Sequence, residues 1–210
     1  MHHITHRGNN GQDVFLSDND RSSYLSLLKE RSDKYKLVII GYCLMTNHIH
    51  LIAIPTEKES LSRAIRETQS TYSSWFNKRN NRTGHVWEGR FFSCPMDEEH
   101  ASQALVYVDR NPARAGLVGK AWEYNWSSVK VHMGEIDQAG LVDLDKWLKL
   151  TKDWDWEELV RSDENEVFNT ELRRYTYGNR PFGSKEFVKQ MENELGIKLE
   201  MKKQGRPRKK

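Results

Sequence analysis

The sequence predicts an α+β fold in which helices pack on an antiparallel sheet. Short apolar segments rich in β-branched residues alternate with longer segments of helical spacing, in the order β-α-β-β-α-β-α. Two of the apolar segments follow each other directly within residues 37–54, and so short a connection requires antiparallel strands. The chain has 210 residues with seven Trp, seven Phe and eight Tyr, which is enough for a sizeable core.

The first 80 residues carry three predicted strands and two predicted helices. Alternation predicts a strand over 2–7, and the glycines and asparagines of 8–11 are turn residues. Apolar residues at helical spacing predict helices over 18–33 and 59–78. The run 37–54 divides into two strands near Met45-Thr46-Asn47, and Pro55 closes it.

The remainder is predicted to be mostly helical. Residues 80–84 break the second helix, and 85–94 form a short aromatic strand or hairpin. Asp97 is placed to cap a third helix that reaches about Arg110, and we expect Pro112 to end it, because the residue before proline disfavours helical geometry. A compact aromatic turn at 122–128, acidic helices within 141–175 and an amphipathic helix from Ser184 to Gly196 complete the chain.

Charge is distributed unevenly along the chain. Six of the 33 basic residues lie in the last nine positions, a second basic stretch covers 61–95, and 135–171 holds twelve acidic and four basic residues. This asymmetry favours a polyanionic partner that approaches particular faces. No apolar run approaches the ~20 residues of a membrane span, and the N-terminus lacks the apolar stretch of a signal peptide, so we expect a cytoplasmic protein with no membrane partner. Cys43 and Cys94 lack a CxxC partner, which argues against a zinc site or a disulfide framework, and Cys43 is expected in the core.

The triplet His48-Ile49-His50 is the leading candidate for a functional motif. Residues two apart on a strand point to the same face, so the two imidazoles can act as a pair of metal ligands; half-buried strand histidines are the alternative. Tyr107 and Asn111 lie four residues apart and share one face of the third helix. Asn111 can offer an amide oxygen to the same metal, and Tyr107 a hydroxyl that attacks a phosphodiester, unless it only packs at a helix end. Two imidazoles and one amide leave metal positions open for phosphate oxygens.

Six stretches of the chain resemble the REP-associated tyrosine transposases, relatives of the HUH single-strand transposases of small bacterial insertion sequences. They are residues 4–9, 42–51, 84–91, 107–118, 126–128 and 180–184. Each stretch is loose alone, whereas their order and spacing over roughly residues 2–200 make the resemblance specific. The family's usual proline before the asparagine of the histidine strand is Thr46 here, which changes a turn residue and not a ligand.

The resemblance implies the ferredoxin-like HUH endonuclease fold and a transposase that cleaves and rejoins single-stranded DNA at REP-type hairpins. His48, His50 and, by analogy and helix geometry, Asn111 would hold Mg²⁺ or Mn²⁺, and Tyr107 would form a 5′-phosphotyrosine. The expected divisions are a catalytic domain at 1–133, a helical extension at 134–200 and a basic DNA-binding tail at 201–210. Location would be cytoplasmic and nucleoid-associated, and the family admits both monomers and homodimers.

Two other functions stay open at this point. One is a hairpin-DNA-binding protein with little or no cleavage, although hairpin binding needs neither the histidine pair nor the tyrosine. The other is a rolling-circle replication initiator or relaxase, which the absence of a GxxxxGK[ST] helicase motif disfavours.

Basic, amide and aromatic residues near the motifs are the candidates for DNA contact. Three would read base edges at a guide tetranucleotide: Arg7, Asn9 and Asn10. Five would contact backbone phosphates: Arg63, Arg66, Lys78, Arg79 and Arg82. Trp87, Arg90 and Phe91 would stack on or clamp unpaired bases, with core packing as the alternative for Trp87. Arg114 would neutralise a phosphate near Tyr107, and the tail with Arg206 and Arg208 resembles half of an AT-hook or is a nonspecific basic tail. The remaining histidines without a pattern are expected at the surface or in packing: His2, His3, His6, His85 and His132.

Overall fold

Four short segments with alternating apolar residues form one antiparallel sheet in the computed structural model, which describes residues 1–162 and 165–199. The strands are β1 (His2–Arg7), β2 (Leu37–Leu44), β3 (His48–Pro55) and β4 (Phe92–Pro95), in the spatial order β2-β3-β1-β4. The longer helices of the first half are α1 (Asp18–Lys34), α2 (Ser60–Arg79) and α3 (Glu98–Arg114). The shorter helices that follow are α4 (Val129–His132), α5 (Leu144–Thr151), α6 (Trp156–Arg161), α7 (Glu166–Gly178) and α8 (Lys185–Leu195). The predicted α+β class, with helices on an antiparallel sheet, is confirmed.

Helices cover both faces of the sheet, so alternate residues of β3 enter two different layers. Ile49, Leu51 and Ala53 pack in the core beneath α1 and α2. Ile52 packs on the opposite face, in the core that includes Leu105 of α3. His48 and His50 share the parity of Ile52, and they therefore end the row of side chains that faces α3.

A bulge at Gly41 lets α3 lie close against β2. The register shifts between Ile39 and Gly41, and a Cβ atom at Gly41 would lie 2.6 Å from Leu105 Cδ2. A larger residue at position 41 would require the Leu105 side chain to shift, so glycine suits this close approach of α3 to the sheet.

The start of α3 is as predicted, but its end is not. The Asp97 side chain caps the helix, accepting the His100 N–H at 3.0 Å. The prediction that Pro112 ends the helix is wrong, because α3 continues to Arg114. A proline in the last turn removes only one N–H from the ladder, and the next turn still closes, with Ala115 N donating to Asn111 O at 3.0 Å.

The predicted strand over 85–94 forms only at its end, as β4. Gly89 takes a left-handed backbone conformation at φ 61°, which interrupts any extended run through this segment. Val86 and Trp87 instead turn into the core between the sheet and α2.

The chain beyond residue 120 packs against both edges of the sheet. At β2, Leu44 N donates to Trp126 O and Asp143 N donates to Ile39 O, both at 2.8 Å. At β4, Ser93 N donates to Asn179 Oδ1 at 2.9 Å. These contacts satisfy edge groups that would otherwise invite another strand. The division at residues 133 and 134 stays a prediction, and the tail at 201–210 lies outside the described residues. Within the described ranges, no helix has the length and apolar character needed to cross a bilayer.

Candidate active site

A cavity of about 220 Å³ lies between β1, β3, α3 and α7. It brings together five residues singled out from the sequence: His48, His50, Tyr107, Asn111 and Arg114. Its other lining residues are His3, Thr5, Arg173, Thr176 and Tyr177.

Sheet register and helix periodicity explain why these side chains meet. In the β1–β3 pairing, His48 lies opposite Arg7 and His50 opposite Thr5. Tyr107, Asn111 and Arg114 are i, i+4 and i+7, which is one stripe of α3. The His50 and Tyr107 rings meet edge to face with centroids 5.6 Å apart, and the His48 and His50 centroids are 4.9 Å apart.

The Asn47 side chain fixes the orientation of His48. Its Nδ2 donates to Gly11 O at 3.2 Å, so its Oδ1 is the atom that faces His48 Nδ1 at 2.7 Å. Because an amide oxygen only accepts, His48 Nδ1 carries the proton and Nε2 carries the lone pair. A metal can be bound by this Nε2 atom.

Both candidate metal ligands are held as neutral imidazoles. Burial, together with the positive charges of nearby Arg7 and Arg114, lowers the pKa of His48 to about 4. Burial also lowers the pKa of His50 well below its ordinary value, with His48 the next cause. Neutral histidine is the form that binds a metal, so the donor chemistry fits a divalent cation. Among the described residues no group of three or more His, Cys, Asp or Glu side chains is arranged to hold a metal, so other donors must complete the coordination.

Asn111 offers one such donor, and Arg114 orients it. Asn111 is 4% exposed, and its Oδ1 accepts a hydrogen bond from Arg114 Nη2. An amide oxygen has two lone pairs, so one remains for a cation. Its buried Nδ2 makes no hydrogen bond within the described part of the chain.

Tyr107 is almost completely enclosed, at 4% exposure. The Arg114 guanidinium carbon lies 4.0 Å from the centroid of its ring. Burial raises the pKa of the Tyr107 hydroxyl, whereas the positive charges of Arg114 and Arg173 lower it. The hydroxyl is therefore neutral at physiological pH, and these two cations are positioned to stabilise negative charge that develops on it.

Comparison with known proteins places this fold and site in a family. The profile described as "Transposase IS200 like" matches residues 1–111, more than half of the chain. The chain belongs to the IS200-like transposase family. It is 25% identical, over 138 residues, to a Haemophilus influenzae protein that carries the name REP-associated tyrosine transposase, a match that covers 59% of this chain and 78% of that protein. A solved structure of a REP-associated tyrosine transposase bound to a REP hairpin is similar in fold, with a TM-score of 0.54 and 16% identity over 69% of this chain and 82% of the other. The resemblance inferred from the sequence motifs is confirmed.

Five lining residues of this IS200-like transposase were missed by sequence reasoning, namely His3, Thr5, Arg173, Thr176 and Tyr177. His3 was expected at the surface or in packing, but its ring lies side by side with that of His50, with an interplanar angle of 8°, centroids 5.1 Å apart and His3 Nε2 2.9 Å from His50 Nδ1. Arg173, Thr176 and Tyr177 come from α7, which reaches the cavity over β4. The one signal in the nearby sequence is the alternation of His3 and Thr5 in β1. It shows that these two side chains share a face of the sheet, but it indicates no function for them.

The residues predicted to contact DNA differ in their position and exposure. Arg7, Asn9 and Asn10 lie beside the His48 end of the sheet, where Gly8 N donates to Asn47 O at 2.7 Å. The basic residues of α2 and the following loop are exposed, namely Arg63, Arg66, Lys78, Arg79 and Arg82. Arg206 and Arg208 lie outside the described residues.

Trp87 is placed in the core and not on a surface that meets DNA. It is 6% exposed, stacks on His6 at 4.9 Å between centroids, and contacts Phe15, Tyr24 and Tyr72. A ring enclosed by four others has no face for a base, so core packing is the better interpretation. Phe91 is half-buried beside this cluster, and Arg90 is exposed.

Proposed function

We propose that this transposase cleaves and rejoins single-stranded DNA at REP-type hairpins through a 5′-phosphotyrosine at Tyr107. The observation that carries the proposal is the meeting of Tyr107, the His48–His50 pair and Arg114 in one cavity, with the His50 and Tyr107 rings 5.6 Å apart. The solved relative bound to a REP hairpin supports the choice of substrate.

The chemistry is a transesterification at phosphorus. The Tyr107 hydroxyl oxygen forms a bond to phosphorus and loses its proton, and the bond between phosphorus and the 3′ oxygen breaks. The 3′ oxygen leaves and takes up a proton, so the products are a free 3′ hydroxyl and a 5′ phosphate esterified to tyrosine. Attack of a 3′ hydroxyl on this phosphotyrosine reverses the step and rejoins strands.

The two guanidiniums in the cavity would act on charge during this step. Burial raises the free energy of the Tyr107 phenolate, and the positive charges of Arg114 and Arg173 lower it. Arg114, held over the ring and against Asn111, is fixed where the attacked phosphate would lie. Such preorganised cations stabilise the additional charge of the transition state.

The lone pairs of His48 Nε2, His50 Nε2 and Asn111 Oδ1 would hold Mg²⁺ or Mn²⁺. When bound, the ion would act as a Lewis acid on the scissile phosphate. The histidines and the amide keep their donor atoms aimed at the cavity through the contacts of Asn47, His3 and Arg114.

The exposed basic residues of α2 and the turn after Arg7 would receive the DNA. Arg63 and Arg79 each have an acidic neighbour, Glu59 at 2.8 Å and Asp20 at 3.8 Å, which phosphates would have to replace. Arg7, Asn9 and Asn10 are near enough to His48 to read bases next to the cleaved bond. We place the catalytic unit in residues 1–133, with the helices of 134–200 completing the cavity through α7.

Adduct formation on hairpin oligonucleotides tests the proposal. The protein would be incubated with end-labelled single-stranded hairpins from the repeats that flank its own gene, with Mn²⁺ or Mg²⁺, and resolved on a denaturing protein gel. We expect a labelled protein–DNA adduct that a chelator abolishes and that Tyr107→Phe does not form. Tyr35→Phe is the matched control, because this half-buried tyrosine bonds to Glu67 and does not line the cavity.

Two outcomes would redirect the assignment. An adduct of unchanged yield in Tyr107→Phe would contradict the nucleophile. A mobility shift with no adduct in either metal would favour the hairpin-binding alternative.

A further inference from the structure

A chain of buried hydrogen bonds joins the candidate metal ligand His50 to helix α7. His50 Nδ1 lies 2.9 Å from His3 Nε2, and His3 Nδ1 lies 2.8 Å from Thr176 Oγ1. Thr176 Oγ1 in turn donates to Leu172 O at 2.7 Å. His3, His50 and Thr176 are 1%, 5% and 0% exposed, so water does not replace these contacts.

The last bond determines where the protons lie. A threonine hydroxyl has one proton, and Thr176 uses it on the Leu172 carbonyl. Its oxygen must then accept from His3 Nδ1–H, which leaves a lone pair on His3 Nε2. That lone pair accepts from His50 Nδ1–H, and the lone pair of His50 falls on Nε2, the atom available to the cavity.

The opposite order of protons would disable the site. If Thr176 donated to His3, then His3 Nε2–H would donate to His50, and His50 Nε2 would carry a proton in place of a lone pair. The Cys94 thiol beside Thr176 does not impose this order, because burial raises its pKa to about 12 and it stays a weak neutral partner.

We propose that His3 and Thr176 are positioning residues that hold His50 in its Nδ1–H tautomer, with Nε2 aimed at a divalent cation. Metal binding then depends on a residue of α7, far along the chain from the histidine motif. Partners of this kind typically change metal affinity or activity by roughly 10- to 100-fold when removed. The proposal rests on the proposed function, since the cation is the one that His48 and His50 would hold.

The Mn²⁺ affinity of the full chain tests this chain of hydrogen bonds. It is measured without DNA, from the paramagnetic resonance signal of free Mn²⁺. In Thr176→Val the hydroxyl is lost at nearly constant volume, and we expect the Mn²⁺ dissociation constant to rise roughly 10-fold or more. Thr176→Ser restores the hydroxyl and should recover the affinity. Thr68→Val is the matched control: Thr68 is also 0% exposed and bonds to a carbonyl four residues earlier, Ala64 O at 2.8 Å, away from the cavity.

A second measurement needs no variant. Nitrogen-15 chemical shifts of the metal-free wild-type protein distinguish protonated from unprotonated imidazole nitrogens, and we expect His50 to be protonated on Nδ1. Protonation of His50 on Nε2, or wild-type Mn²⁺ affinity in Thr176→Val, would overturn the proposed positioning role of His3 and Thr176. Neither result would affect the proposal that Tyr107 cleaves DNA. If the wild-type protein neither bound Mn²⁺ nor formed the adduct, the proposed function itself would be contradicted.

Discussion

Replacing Asp109 should destabilise the protein strongly, because a single carboxylate joins three helices and the sheet. Asp109 is 0% exposed on α3. Its oxygens accept from His132 Nδ1 at 2.7 Å, Ser128 Oγ at 3.0 Å and Trp156 Nε1 at 3.1 Å. His132 Nε2 faces the Ile40 carbonyl oxygen at 2.9 Å. Both ring nitrogens of His132 therefore face acceptor oxygens, one on α3 and one on the sheet.

The magnitude follows from what each substitution leaves behind. Asp109→Ala removes the acceptor of three buried groups at once, and since each buried polar group left without a partner costs about 1–3 kcal/mol, we expect a loss of about 3–5 kcal/mol in the free energy of unfolding. Asp109→Asn should cost less, about 2–3 kcal/mol, because its amide oxygen still accepts from His132 and Trp156 while its amide nitrogen faces the Ser128 hydroxyl, which can accept.

Urea unfolding followed by circular dichroism gives both values, provided that the slope against urea is the same in each variant. Asp13→Ala is the control, since Asp13 is exposed and should change the free energy by no more than about 0.5 kcal/mol. A loss below about 1 kcal/mol in Asp109→Ala, or equal losses in the two Asp109 variants, would refute the stabilising role of this buried hydrogen-bond network.

Acidification and an arginine substitution give two further tests. Burial lowers the pKa of His3 to about 3, and of His6 and His48 to about 4, so between pH 6.5 and 4 the unfolded chain binds protons that the folded protein excludes. This contribution to stability is therefore nearly complete above about pH 7.5 and falls on acidification, by about 1.4 kcal/mol per histidine between about pH 7.5 and 5.5; urea midpoints that do not move would contradict this. Arg114→Lys should slow adduct formation about 10-fold or more while hairpin affinity is kept, because an ammonium cannot both cover Tyr107 and bond to Asn111; single-turnover rates measure it, and an unchanged rate would exclude the role.

The order of elements in the first half could be predicted because its signals are local. The cap at Asp97, the β-branched run that ends at Pro55 and the helical spacing within α2 each depend on a few neighbouring residues. Predictions failed where a distant contact decided the outcome. Trp87 lies outside β4 and makes an isolated bridge to Gly8, while its ring contacts Phe15, Tyr24 and Tyr72, none of which is near it in the sequence.

The residues of the candidate site likewise fall into those that local sequence patterns identify and those that depend on distant contacts. Spacings of two residues in a strand and four in a helix indicate which side chains share a face. Sequence reasoning could therefore find His48, His50, Tyr107 and Asn111. His3 could not, because its role depends on the β1–β3 register and on a helix that begins at Glu166. The contact between His3 and Thr176 joins residues 173 positions apart, and no local pattern encodes it.

The short run from Tyr107 to Asn111 explains why the site and the stability of the fold are difficult to separate. Tyr107 and Asn111 face the cavity, Val108 is 0% exposed in the core, and Asp109 faces α4 and α6. One turn of α3 thus makes contacts in three directions, and the helix has little freedom to move against the sheet. Because His48 and His50 lie on β3, the distance between the proposed nucleophile Tyr107 and the proposed metal ligands is set by how α3 packs on the sheet, which Asp109 secures from the opposite side. The proposed rejoining of strands at the same tyrosine would require this distance to be the same before and after cleavage, and a helix held from both sides meets that requirement.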